Sequence, residues 1–165
     1  MSRAFVKESD GDDELPEIPL SEHPNHVTPR GFAQLRGRLD AALAERAVLK
    51  RDDAGVTERA QLRAVEREIR WLEARVATAN VVDPARQPRD RVAFGATVEV
   101  ADADGEEATY RIVGEDEADA ERGDVSWVSP LAQALLGARI GDEVLWRRPR
   151  GDLRIEVLAI RYEGG

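Results

Sequence analysis

The chain has 165 residues and no cysteine, and its 33 acidic residues outweigh 24 lysines and arginines to give a formal net charge of -9. That composition excludes a disulfide framework and a thiolate metal site. It also argues against a general DNA or RNA binder, which would be basic overall, while leaving room for a local basic patch. No apolar run approaches the ~20 residues of a membrane span, and the N-terminus lacks the apolar core of a signal peptide. The expected location is the cytoplasm, with no membrane partner.

Residues 1–26 read as an acidic, disordered tail. Asp10 to Glu14 is nearly all acid, and Pro16, Pro19 and Pro24 break any helix or strand. The only two histidines, His23 and His26, fall in this segment, an unpromising place for a catalytic base.

Residues 27–83 read as an antiparallel coiled-coil hairpin. Thr28 suits an N-cap and Pro29 the first helical position. Phe32, Leu35, Leu39, Ala42 and Leu49 then recur in steps of three and four, with Arg46 in one slot. Arg51-Asp52-Asp53-Ala54-Gly55 breaks the pattern as a turn. It resumes with Leu62, Val65, Ile69, Leu72 and Val76, and Thr57 is a candidate cap for this second helix. Each helix has one apolar stripe and can bury it only against the other, over roughly 30–35 Å.

Asp83-Pro84 ends the second helix, and residues 84–91 read as a linker. From residue 92 the periodicity is that of strands. Val92, Phe94, Val98 and Val100 suggest strands, Asp104-Gly105 a hairpin turn, and Thr109 to Val113 the returning partner. Val125 to Val128 is another short strand. Ser129-Pro130 caps a helix that Gly137 ends. Two further strands follow Gly141-Asp142 and the Pro149–Asp152 turn. Residues 92–165 are thus a compact β-rich domain, and the whole chain is α+β.

This order of hairpin, linker and small β domain resembles the GreA/GreB transcript cleavage factors. Val27-Thr28-Pro29-Arg30-Gly31-Phe32 looks like their hairpin start. Ser129 to Leu136, followed by Ile140-Gly141-Asp142-Glu143, looks like their C-terminal signature. Phe94-Gly95-Ala96 and Tyr110 to Gly114 fit their strand pattern. The resemblance implies an FKBP-like C-terminal domain that docks on RNA polymerase at the secondary channel, with the hairpin entering to present acidic tip residues. It further implies a monomer that meets nascent RNA only within the elongation complex. The protein would be no enzyme itself, at most stimulating the polymerase's own hydrolysis of backtracked RNA.

On that resemblance Asp52, Asp53 and Glu58 are the tip acids that would help position magnesium and water. Magnesium is the polymerase's, since two adjacent acids are too few ligands for a site in isolation. On chemistry alone the same residues are turn formers and a helix-start acid. Arg59, Arg63, Arg67 and Arg70 form a basic stripe that matches an RNA-facing patch, or else a solvated face paired with acids. Ser129, Pro130 and Leu131 match the polymerase contact loop, where Val128 stands in a slot that is commonly polar in the family. The tip also departs from the family: it lacks an Asp and a Glu separated by two residues and followed by Asn-Ala and an aromatic, and the hairpin is shorter. A tip withdrawn by a heptad per arm stops roughly 10 Å short. The alternatives are therefore a channel-binding regulator without cleavage activity, or a coiled-coil interaction module unrelated to polymerase. A prolyl isomerase is disfavoured, because Trp127, Trp146 and Tyr110 read as core.

Overall fold

The structure is a computed structural model that describes residues 15–51 and 55–163. Its described residues form two compact units, one of residues 15–20 and 36–74, the other of residues 21–35 and 75–163. Two long helices, α1 (Pro29–Arg51) and α2 (Val56–Thr78), run through the first half of the chain. Each has 23 residues, or about 34 Å at 1.5 Å per residue.

In the first unit the two helices form an antiparallel pair. Ala42, Val65, Ile69 and Leu72 are buried at the seam, Leu72 completely. Arg38 on α1 reaches Glu68 on α2 at 3.3 Å, and its guanidinium lies 5.4 Å from the Trp71 ring centre, within cation–π range. Farther along, Leu43, Leu49 and Leu62 are only half-buried, and Val56 is exposed. The fully buried part of the seam is thus the stretch around Ala42, Val65, Ile69 and Leu72.

The second unit begins with β1 (His26–Val27), which pairs in parallel with β2 (Asn80–Val81), the strand that follows α2. The five-stranded sheet that follows contains β3 (Thr97–Asp102), β4 (Glu107–Val113), β5 (Asp124–Ser126), β6 (Glu143–Trp146) and β7 (Leu153–Arg161), in the order β5-β4-β3-β7-β6. All its pairings are antiparallel except β4 with β5. A register shift between Glu99 and Val100 bends β3 against β7, as a bulge does. Between β5 and β6 lies α3 (Pro130–Leu135), whose Leu131, Ala132 and Leu135 pack with Val98, Val100, Ile112 and Val157 in the core.

Three sequence expectations change. Residues 15–26 are structured rather than tail-like: Asn25 is buried and its amide donates to the Arg75 carbonyl at 2.8 Å and to the Thr78 hydroxyl at 3.2 Å. The side chain thereby satisfies acceptors that the end of α2 would leave open. Residues 1–14 lie outside the described residues. Thr57 is not a cap, because α2 already starts at Val56 and the Arg59 amide bonds the Gly55 carbonyl. Neither Val92 nor Phe94 is in a strand: Phe94 lies in a turn, and Val92 lies in an irregular stretch where its amide bonds the Ala138 carbonyl and the Gly137 amide returns to the Val92 carbonyl. The linker includes a single 3-10 turn, Pro84–Arg86, capped by the Asp83 carboxylate.

Candidate functional site

The first candidate surface is the basic face of α2. Arg59 and Arg63 are exposed and make no ion pair among the described residues. Arg70 is exposed too, but its guanidinium grips the Glu17 carboxylate, with Nε 3.0 Å from both oxygens and Nη2 2.7 Å from Oε1. Arg67 is half-buried and donates from Nη1 to the Pro16 carbonyl at 3.2 Å, while its Nε is buried without an acceptor. The arginines recur at steps of four, four and three, so they share one face. Of the tip acids, Asp52 and Asp53 lie outside the described residues. Glu58 stands in the first turn of α2, where a carboxylate also favours the helix dipole.

The second candidate surface is the turn that opens α3. Ser129 accepts from the Ala132 amide at 3.2 Å, its own amide bonds the Ser126 carbonyl, and the Gln133 amide group donates to the Trp127 carbonyl at 2.7 Å. These bonds fix a rigid corner on which Pro130 is exposed. Leu131 behaves differently. At 4% exposure it belongs to the core, so it cannot be a surface contact, and its match to the contact loop reflects packing. Gly137 closes α3 with a φ of 86°, the left-handed conformation suited to glycine after a helix. Trp127, behind the corner, packs against the rings of His23 at 6.0 Å and His26 at 5.1 Å.

A network that the sequence did not reveal anchors the start of α1. Thr28 caps the helix by accepting from the Gly31 amide at 3.0 Å. Glu117, from a 3-10 turn after β4, accepts from the Thr28 and Gly114 amides at 3.0 and 2.9 Å and also bonds the Thr28 hydroxyl. Gly31 is required by this approach: a β-carbon there would lie 2.0 Å from the Glu117 carboxyl carbon. Beside it, Arg75 and Asp116 form an ion pair at 2.7 Å with side chains only 5% and 13% exposed. The T-P-R-G string carried half of this signal. Its partner lies 89 residues away and has no local signature.

Comparison with known proteins shows the family of the chain. A family model described as transcription elongation factor GreA/GreB, C-terminal, matches residues 87–162. Transcription elongation factor GreB of Neisseria meningitidis is 38% identical over 157 residues, covering 86% of this chain and 96% of that protein. The chain belongs to the GreA/GreB family of transcription elongation factors. A GreA from Alkalilimnicola ehrlichii is 42% identical over 152 residues, covering 82% of this chain and 96% of its own length. A solved GreA/GreB factor from Nitrosomonas europaea is 26% identical, covers 84% of this chain and 99% of its own, and superposes with a TM-score of 0.42. As a Gre-family chain, this protein combines two long helices with a mixed β sheet. No helix of the described residues is long and apolar enough to cross a membrane. Among them, no group of three or more potential ligands could hold a metal ion.

Proposed function

We propose that this Gre-family chain binds RNA polymerase at its secondary channel through the β domain, inserts its helical hairpin, and so regulates elongation as a monomer. The observation that carries the reading is the α3 corner. An exposed proline on a turn held by three hydrogen bonds is a preorganised contact that costs little entropy to dock. The basic face of α2 then lies on the element that enters the channel, where it faces nascent RNA. The protein contributes no catalytic group of its own. Any hydrolysis is the polymerase's, with the polymerase's magnesium.

Purified chain and a Pro130→Arg variant, compared for retention on immobilised core polymerase, test the docking. Pro130 is exposed, so the variant keeps its fold by circular dichroism, and its retention falls at least about tenfold, as expected for a central contact. Undiminished retention of the variant contradicts the assignment.

A second reading keeps the docking and removes cleavage. It is favoured by the tip sequence, in which Asp52 and Asp53 are adjacent and the family's spaced Asp and Glu are absent. Magnesium–oxygen bonds are about 2 Å long, so carboxylates set back by several ångströms hold no metal. The discriminating assay adds the chain to stalled complexes with 5′-labelled RNA. Shortening that vanishes in an Asp52→Ala, Asp53→Ala double variant supports cleavage stimulation, and its absence supports a channel-occupying regulator.

A further inference from the structure

The basic face of α2 is partly occupied by the chain's own N-terminal segment. Pro16 and Glu17 lie on Arg67 and Arg70. Leu15 and Glu17 line one shallow pocket with Arg63, Arg67 and Arg70. Ile18 lines a neighbouring pocket with Val65 and Trp71. The segment therefore has an apolar foot beside an ionic clamp. The Arg70 guanidinium, chiefly through its hydrogen bonds, holds the Glu17 carboxyl below its ordinary pKa. Arg67 is under-filled: of a guanidinium's five donors, Nη1 meets a neutral carbonyl and Nε has no acceptor. Such a group is better matched by anionic oxygens.

We infer that residues 15–20 are an intramolecular strap over the RNA-facing arginines, placing a carboxylate and a carbonyl where phosphodiester oxygens would bind. RNA then reaches this face only by displacing the strap. The inference rests on the reading of that face as RNA-facing. It adds a regulatory layer, because a tethered competitor lowers apparent affinity by the fraction of time it is bound. The clamp is solvent-exposed, with Arg70 and Glu17 side chains 53% and 63% accessible, so the strap is weak enough to yield. Exposed pairs of this kind change an equilibrium by about two- to fivefold.

The test is fluorescence anisotropy of a labelled 12-nucleotide oligouridylate with the full chain at low salt. Glu17→Gln is expected to bind about two- to fivefold more tightly, and a chain lacking residues 1–20 at least as tightly. Replacing Arg67 and Arg70 by Gln in the shortened chain should abolish the gain. Glu22→Gln removes one exposed negative charge without touching the clamp, and should leave affinity unchanged. Unchanged RNA affinity in Glu17→Gln and in the shortened chain overturns the strap, as does no RNA binding by any form. Equal tightening by Glu22→Gln also overturns it, by reducing the effect to net charge. Polymerase retention of the same proteins is read separately. Retention with unaltered RNA affinity removes only the strap, whereas a wild-type chain that fails to bind polymerase removes the docking proposal.

Discussion

Single side chains at the helix ends decide how α1 and α2 are anchored. Arg75 and Asp116 are almost fully removed from water and bonded to each other. Removing one partner strands the other as a buried charge, which costs more than the pair contributes. Arg75→Met should therefore destabilise by about 3–5 kcal/mol, read as a lower urea midpoint with an unchanged slope. Tyr162 supplies a pH-dependent counterpart. Its hydroxyl donates to the Arg91 carbonyl at 2.7 Å and accepts from the Ala93 amide at 2.9 Å. Burial, the largest cause, raises its pKa above the ordinary 10.0. A raised folded-state pKa means that the protonated phenol's stabilisation is complete below about pH 10. It is lost as pH rises through the higher, folded value. Tyr162→Phe should lower stability at pH 7 and abolish that extra alkaline loss, measured by urea titrations at pH 7 and above 10.

At the level of elements, features with a short-range cause were readable and features with a long-range cause were not. Thr28 and Ser129 announce their helices because the cap and the amide it accepts lie three residues apart. The β3–β4 hairpin follows from Asp104-Gly105, and the Gly105 φ of 78° is the glycine conformation such a turn uses. By contrast, β1 and β2 have two residues each and are paired across 54 positions. No periodicity can develop over that length. Asn25 misled for a related reason: it is polar and follows Pro24, yet it is buried because α2 ends against it. Val92 is β-branched and fully buried without being in a strand, since burial alone does not specify extended pairing. Leu131 shows the same limit at the candidate site, where a motif match did not distinguish a core leucine from a contact. The hairpin seam offers the element-scale prediction. Leu72→Ala, at a completely buried position, should cost about 2–5 kcal/mol, seen as a shift of the far-UV circular dichroism melt. A change below about 0.5 kcal/mol would deny that this seam holds the helices together.

For the whole molecule, the distribution of charge matters more than its sum. A net charge of -9 disfavours indiscriminate binding to nucleic acid, while the arginines of α2 gather positive charge on one helix face. Gre-family membership, the exposed corner at Pro130 and this face together carry the proposal that the protein acts by occupying a polymerase channel. The most direct test is competition. A fluorescently labelled GreB is bound to backtracked elongation complexes, and the unlabelled chain is titrated in while the polarisation of the label is followed. The account predicts progressive displacement that reaches completion, and loss of that displacement with Pro130→Arg. Labelled GreB that stays bound at saturating concentrations of the chain would contradict it.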